Sequence, residues 1–105
     1  MADNFHEISS REDFEKKTQS GVALVDFYAA WCRPCQMQTP ILHLVADANP
    51  EASILKVNTD QLPELAQAFR VSSIPHLVLL KDGQPIDQYV GLQEAEFLSS
   101  AIENA

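Results

Sequence analysis

Apolar and polar positions along the chain follow two different periods, and their alternation predicts a regular series of strands and helices. Short apolar or β-branched runs predict strands, whereas longer stretches with apolar residues on one helical face predict helices. The predicted strands are Phe5–Ile8, Val22–Tyr28, Ile54–Asn58, His76–Lys81 and Ile86–Val90. The predicted helices run from Ser9 or Ser10 to about Gln19, from about Cys32 to Ala48, from Asp60 to Phe69, and over Glu94–Glu103.

Local signals indicate how some of these elements begin, turn and pack. Asp60 is the predicted cap of the short third helix, because its side chain can accept a hydrogen bond from the first turn. Asp82-Gly83 predicts a tight turn between the last two strands. In the last helix, Phe97, Leu98 and Ile102 share one predicted apolar face.

The order of the predicted elements is β-α-β-α-β-α-β-β-α. Strands joined through a helix are expected to be parallel, and the terminal hairpin antiparallel. The sequence therefore predicts an α/β fold with three layers and a mixed central sheet. The length of 105 residues fits a single domain over residues 1–105, with a core that needs no disulfide or metal.

The net charge and the hydropathy of the sequence disfavour several classes of binding partner. The net charge of −8 disfavours nucleic acid and anionic membranes, which bind basic surfaces. The apolar runs are too short to span a bilayer, and the start of the sequence lacks the basic and apolar regions of an export signal. We therefore expect a cytoplasmic protein that acts as a monomer, with neither nucleic acid nor membrane as partner.

The most informative segment is Cys32-Arg33-Pro34-Cys35, which follows the apolar strand and opens the second helix. At a helix start, free N–H groups and the helix dipole stabilise a thiolate, the reactive form of cysteine. Cys32 is therefore the predicted accessible nucleophile, and Cys35 the shielded second thiol one turn further on. Pro34 suits the first turn, where no N–H is needed.

Three hypotheses compete for the two cysteines. A structural disulfide between them closes a very small loop and constrains the unfolded chain little. A zinc site needs about four ligands, and the three histidines (His6, His43 and His76) lack ligand spacing relative to the cysteines. A redox pair is favoured, because a CxxC pair between an apolar strand and a helix is typical of one. We expect no bound metal.

Other residues around this motif allow two interpretations each. Asp26 stands in an apolar strand, so it is either solvated at the strand end or a buried carboxyl that takes up a proton. Trp31 is either part of the core or a partly exposed contact surface. The Ile74-Pro75 pair precedes a strand, where a proline belongs because it cannot donate to the ladder, and its peptide bond is either an ordinary trans turn or cis.

The segment Val25–Cys35, VDFYAAWCRPC, resembles the active-site segment of the thioredoxin family, usually VDFWAxWCGPC. The resemblance covers essentially the whole chain, and it continues in five segments: residues 35–40, 56–60, 71–75, 81–83 and 90–91. It implies a three-layer α/β/α fold with a five-stranded sheet of order 1-3-2-4-5 and four helices. It also implies reduction of protein disulfides without a bound cofactor, with a flavin-containing, NADPH-dependent thioredoxin reductase as electron donor.

The resemblance further implies roles for individual residues. Cys32 forms a mixed disulfide that Cys35 resolves, and Asp26 accepts the proton of Cys35. Lys56 either lies on the surface or, as the resemblance implies, pairs near Asp26; with Arg33 and Pro34 it is expected to tune the redox potential. The substrate-binding residues implied are Trp31, Ile74, Pro75 and Gly91, with a cis bond between Ile74 and Pro75 facing the cysteines and a close backbone approach at Gly91.

Four positions depart from the family pattern. Arg33, Tyr28, Gln36 and His76 stand where glycine, tryptophan, lysine and threonine are usual. None removes a reacting group, so the departures leave open the redox potential and the substrate preference. Two rival hypotheses remain: an oxidase or isomerase of the same fold, and a non-enzymatic subunit that binds a partner through the same apolar surface.

Overall fold

The computed structural model describes residues 3–105, in which strands and helices follow one another in the predicted order. The strands are Phe5–Glu7 (β1), Val22–Tyr28 (β2), Ser53–Asn58 (β3), His76–Lys81 (β4) and Gln84–Val90 (β5). The helices are Arg11–Thr18 (α1), Arg33–Ala48 (α2), Pro63–Ala68 (α3) and Ala95–Glu103 (α4). None of the helices within residues 3–105 combines the length and apolar character that a membrane span requires.

The strands form one mixed sheet of order β1-β3-β2-β4-β5, as expected. β1, β3 and β2 are parallel, whereas β4 pairs antiparallel to β2 and β5 antiparallel to β4. The central strand β2 is apolar along its length except at Asp26, which lies opposite Lys56 of β3. The carboxyl end of β2 leads directly to the cysteine segment, so the cysteines lie at that end of the sheet.

Two apolar layers flank the sheet because successive side chains of a strand point to opposite faces. On one face, Val25 and Phe27 pack with Phe14 of α1 and Leu65 of α3. On the other face, Leu24 packs with residues of α2 and α4, such as Leu42, Val45, Leu98 and Ile102. Asp26 follows the alternation of Leu24, so it lies on the face that α2 and α4 cover.

Turn and cap residues set the ends of the early elements and of the hairpin. The side chain of Ser10 accepts a hydrogen bond from the N–H of Asp13 at 3.0 Å and so caps α1. Asp82 and Gly83 both have positive φ values, 50° and 82°, as a two-residue hairpin turn requires. This tight turn lets β5 begin at Gln84, two residues earlier than predicted.

Two predictions about helix detail are wrong. Asp60 does not cap α3: the helix begins at Pro63 after Leu62, without a side-chain cap, because proline suits a first turn that needs no N–H. Phe97 does not share the buried face of Leu98 and Ile102: its side chain is 49% exposed and packs edge-to-face on Tyr89 of β5, 5.0 Å between ring centroids.

Candidate active site

The two cysteines lie at the start of α2 and are joined by a disulfide, with their Cα atoms 5.2 Å apart. Cys32 is the N-cap residue, and its sulfur accepts a hydrogen bond from the N–H of Cys35 at 3.3 Å. Cys32 is 5% exposed and Cys35 1%. The expected order of accessibility holds, but Cys32 is buried rather than open in the disulfide form.

The start of α2 supplies the electrostatic setting of the sulfur atoms. Its first N–H groups have no partners within the helix and, with the helix dipole, favour a negative charge at Cys32. The Arg33 side chain next to it is exposed, and Pro34 lies in the first turn, both as predicted. The start of the helix therefore favours a thiolate at Cys32.

A second segment approaches the cysteines from the start of β4. The Ile74-Pro75 peptide bond is cis, as the resemblance implied. The carbonyl oxygen of Ile74 lies 3.8 Å from the Cys32 sulfur, and the Ile74 side chain packs against the cluster formed by Ala29, Cys32 and Cys35. The carbonyl oxygen of Pro75 accepts a hydrogen bond from the N–H of Gly91 at 2.8 Å. The structure therefore places Ile74 beside Cys32 and joins Gly91 to the neighbouring Pro75.

Gly91 is required for its backbone conformation rather than for close packing. Its φ of +92° lies in the region that favours glycine. A Cβ atom built on it would have no neighbour within 4 Å inside the protein, so no packing contact within the chain requires a glycine there. Any side chain at this position would strain the loop that bonds Pro75.

Trp31 forms an exposed surface next to Cys32. Its side chain is 72% exposed, and its ring N–H donates to the carboxylate of Asp60 at 2.9 Å. The interpretation as a core residue is therefore wrong, and the one as a contact surface agrees with the exposure. The side chain of Asp60 thus holds the indole ring instead of capping a helix.

Asp26 is fully buried, and neither carboxylate oxygen has a hydrogen-bond partner. The interpretation as a solvated strand-end residue is therefore wrong. Burial raises the pKa of Asp26 to about 7, the positive charge of Lys56 opposes this, and the negative charge of Glu7 reinforces it. A carboxyl group with this pKa exchanges a proton near neutral pH.

Lys56 is buried too, which excludes the interpretation of a surface lysine. Its ammonium donates to the hydroxyl of Thr39 at 2.6 Å, and this hydroxyl donates to the carbonyl oxygen of Cys35 at 3.4 Å. The ammonium also lies 4.0 Å from the centre of the Tyr28 ring. Lys56 thus connects β3 to the helix that carries the cysteines.

Tyr28, which stands where tryptophan is usual in the family, adds a polar contact. Its hydroxyl donates to the carboxylate of Glu7 on β1 at 2.8 Å. Burial, together with this hydrogen bond and the negative charge of Glu7, raises the pKa of Tyr28 to about 12. The hydroxyl therefore stays protonated and remains a donor to Glu7.

Gln36 and His76, which also depart from the family pattern, are likewise held by hydrogen bonds. The side-chain amide of Gln36 donates to the carbonyl oxygen of Ala30 at 2.9 Å. The Nε2 atom of His76 lies 2.8 Å from the side-chain oxygen of Gln88 on β5.

Among residues 3–105, no three His, Cys, Asp or Glu side chains cluster closely enough to hold a metal ion.

Sequence reasoning missed Glu7 and Thr39 as neighbours of the buried charges. Thr39 lies one turn after Cys35 in α2, so helical spacing was an available signal for it. Glu7 had a weaker signal: strand alternation places it on the same face as Phe5, but its partner depends on the register of the sheet. The departure at Tyr28 gave no indication of a hydroxyl partner.

Comparisons with known proteins agree with this geometry. The family model described as thioredoxin matches residues 5–104. A thioredoxin of Staphylococcus aureus is 48% identical over 92 residues, which cover 87% of this chain and 88% of that protein. Among solved structures, a mutant thioredoxin from Halobacterium salinarum has 34% identity and a TM-score of 0.90, covering 97% of this chain and 90% of its own.

A thioredoxin of Malassezia sympodialis has 33% identity and a TM-score of 0.83, covering 95% of this chain and 89% of its own. Three findings support the same family assignment: the fold, the paired cysteines at the start of α2, and the match over nearly the full length. The chain belongs to the thioredoxin family and is a thiol–disulfide oxidoreductase whose redox pair is Cys32 and Cys35.

Proposed function

We propose that this protein works as a reductant of disulfide bonds in other proteins, with Cys32 as the attacking thiolate and Cys35 as the resolving thiol. The observation that carries the proposal is the position of the Cys32 sulfur. It caps α2, lies 3.8 Å from the Ile74 carbonyl oxygen, and belongs to the less buried of the two cysteines. A sulfur at a helix start is activated as a thiolate.

The proposed reaction has two exchanges. The Cys32 thiolate attacks one sulfur of the substrate disulfide, which forms a mixed disulfide and releases the other substrate sulfur as a thiolate. Cys35 then loses its proton and attacks the Cys32 sulfur, which forms the Cys32–Cys35 disulfide and releases the second substrate thiolate. Two electrons pass from the protein to the substrate, and the released thiolates take up protons from water.

Asp26 is the proposed acceptor of the Cys35 proton. It lies buried on the face of the sheet that α2 covers, and its pKa of about 7 suits proton transfer near neutral pH. Its oxygens have no other hydrogen-bond partner, so they are available to a nearby donor. Lys56, Arg33 and Pro34 are the proposed tuning residues of the redox pair.

Trp31, Ile74, Pro75 and Gly91 are proposed to bind the substrate. Trp31 is largely exposed beside Cys32, and the Ile74 carbonyl oxygen lies next to the cysteine sulfur. An extended substrate segment could pair with backbone groups there, since peptide strands bind exposed main-chain edges through such hydrogen bonds. The backbone pair between Gly91 and Pro75 keeps the loop in place for it.

The electron donor is proposed to be a flavin-containing, NADPH-dependent thioredoxin reductase. The oxidised pair must receive two electrons before the next turnover, and the family relationship supports a reductase as their source. We further propose that the chain acts as a monomer in the cytoplasm, where a reducing environment keeps a CxxC pair available for catalysis.

A coupled assay tests the proposal. NADPH oxidation is followed with thioredoxin reductase and insulin as the disulfide substrate. We expect turnover with the native chain, none with Cys32→Ser, and a trapped mixed disulfide with Cys35→Ser. Asp26→Ala should slow the reduction at neutral pH while leaving the fold intact.

Other outcomes support the rival hypotheses. Faster oxidation of a reduced substrate than reduction of insulin would indicate an oxidase. Full biological activity of a Cys32→Ser, Cys35→Ser double variant would indicate a binding subunit instead of an enzyme.

A further inference from the structure

We propose that Glu7 and Tyr28 are positioning residues of the resolving step, because together they keep the Lys56 ammonium on Thr39 and off the carboxylate of Asp26. The inference rests on the proposed role of Asp26 as the acceptor of the Cys35 proton. It concerns the hydrogen bond between Tyr28 and Glu7, which depends on a tyrosine at a position where the family usually has tryptophan.

Three charged residues form a row across three neighbouring strands. Asp26 of β2 lies opposite Lys56 of β3, and Lys56 lies opposite Glu7 of β1. Residues paired in register point to the same face of the sheet, so all three side chains lie on the face that α2 covers. Lys56 therefore stands between two carboxylates, one buried and one exposed.

The ammonium of Lys56 does not take the buried carboxylate as its partner. Within the described chain, Lys56 and Asp26 form no ion pair, and both oxygens of Asp26 lack hydrogen bonds. The ammonium instead donates to Thr39 at 2.6 Å and lies over the Tyr28 ring at 4.0 Å. A lysine side chain is flexible, and the carboxylate of Asp26, opposite Lys56 in the sheet, attracts its ammonium. Other contacts must therefore hold the ammonium on Thr39.

Tyr28 and Glu7 provide that support. An aromatic face attracts an ammonium, and the attraction strengthens where water is excluded. The Tyr28 ring is fixed in turn, because its hydroxyl donates to Glu7 at 2.8 Å and its side chain packs against the small cluster formed by Ala29, Cys32 and Cys35. The carboxylate of Glu7 adds an attraction on Lys56 directed away from Asp26. Tyr28 therefore acts on Asp26 through the position of one ammonium, and Glu7 acts both in this way and through the direct effect of its charge on Asp26.

The consequence for the reaction follows from the charge of Asp26. A direct ion pair with Lys56 would favour the charged carboxylate and make it a weaker proton acceptor. With the ammonium on Thr39, burial keeps the pKa of Asp26 at about 7, near the pH at which the protein works as a reductant. The titratable groups whose charges interact with Asp26 are Lys56 from β3, Glu7 from β1 and Tyr28 from β2. On α2, which covers the same face, the redox cysteines lie at the helix start. The β4 neighbour, Leu77, is apolar.

The test measures the titration of the Asp26 carboxyl in the reduced protein by carbon-detected NMR, and the pH profile of insulin reduction alongside it. Tyr28→Phe keeps the ring but loses the bond to Glu7, and Glu7→Gln keeps an acceptor but loses the charge. We expect either change to lower the midpoint of Asp26 by about half a pH unit or more, and to move the rate profile in the same direction.

Two matched controls separate this effect from general ones. Tyr89→Phe removes a tyrosine hydroxyl that bonds Asp87 on the edge strand, and Glu12→Gln removes an exposed charge on α1, on the opposite face. Neither should move the Asp26 midpoint. In a Lys56→Gln background, Tyr28→Phe should also have no effect, because the ammonium that it positions is gone.

The outcomes distinguish this inference from the proposed function. If Asp26→Asn leaves the resolving rate unchanged, the role of Asp26 is wrong and the proposed mechanism fails with it. If Asp26→Asn slows the reaction but Tyr28→Phe leaves the midpoint unchanged, or lowers it equally in the Lys56→Gln background, only the positioning role is overturned. Thermal unfolding of each variant verifies that it is folded.

Discussion

Gln38 and Gln93 hold each other through two hydrogen bonds. The fully buried amide of Gln38 donates to the backbone oxygen of Gln93 at 3.0 Å, and the Gln93 N–H donates to the Gln38 side-chain oxygen at 2.8 Å. The side chain of Gln93 donates onward to the Gly91 oxygen at 3.2 Å. Helix α2 thus holds the loop on which the proposed substrate contact at Gly91 depends.

Replacing Gln38 by leucine should therefore affect both stability and substrate binding. The change leaves two backbone groups of Gln93 without partners, which should lower the free energy of unfolding by about 2 kcal/mol. It should also raise the KM for insulin more than it lowers kcat, because the loop moves and the cysteines do not. Urea denaturation and steady-state kinetics measure the two effects. The exposed Gln67→Leu on α3 is the control, and an equal loss in both variants would refute the prediction.

The two cysteines should react in a fixed order. With the reduced protein at neutral pH, one equivalent of iodoacetamide should modify Cys32 first, since the start of α2 stabilises its thiolate and Cys35 is the more buried. Peptide mapping by mass spectrometry identifies the modified residue. Cys35→Ser should retain the fast reaction, and Cys32→Ser should lose it. Preferential modification of Cys35 would reverse the proposed roles.

Asp26 should make the stability of the protein depend on pH. An unfolded aspartate has a pKa of about 3.9, and burial raises the folded value to about 7. The folded state therefore binds the proton more tightly, so the stabilisation is complete below about pH 4 and is lost as the pH rises to about 7. Each pKa unit corresponds to about 1.4 kcal/mol, which gives a loss of about 4 kcal/mol.

Asp26→Asn should remove this dependence, because an amide does not titrate. The variant should be more stable than the native chain at pH 8, and its advantage should shrink towards pH 4. Chemical denaturation at a series of pH values measures this difference. Parallel stability curves for the two proteins would contradict the raised pKa.

Arg33 should make the protein a slightly weaker reductant than its Arg33→Gly variant. A guanidinium next to Cys32 favours the thiolate and so the reduced form, which raises the redox potential. Because the side chain is exposed, the expected difference is only on the order of 10–20 mV, and salt should reduce it. Equilibration against glutathione at low and high salt measures it. A lower potential for the native chain, or no effect of salt, would exclude charge as the cause.

The fold could be predicted from the sequence to a large extent because its elements have strong local patterns. The apolar run of β2 and the Asp82-Gly83 turn need no partner to be recognised. The wrong predictions concern residues whose side chain is suited to two different contacts. Asp60 is a good cap by type, yet it accepts the indole N–H of Trp31, and Phe97 follows the apolar face but covers β5 instead of the core.

The site was predictable only as far as the motif reaches. The positions of Cys32, Cys35 and Asp26 follow from one strand and the helix after it. The polar contacts that surround them join distant parts of the chain, such as the bond between Gln38 and Gln93. Their formation depends on strand register and helix packing, which the sequence pattern alone does not specify.

Asn4 precedes β1, and its amide nitrogen lies within hydrogen-bond distance of the backbone oxygens of Ala46, Asn49 and Ala52. It therefore lies beside the end of α2, whereas the cysteines lie at its start. Residues 104 and 105 follow the end of α4, beside Leu79 and Ile86, and Leu79 pairs with Leu24 near the beginning of β2. A fusion partner or an affinity tag joined next to Asn4 or residue 105 would thus lie near the end of the sheet opposite Cys32 and Cys35.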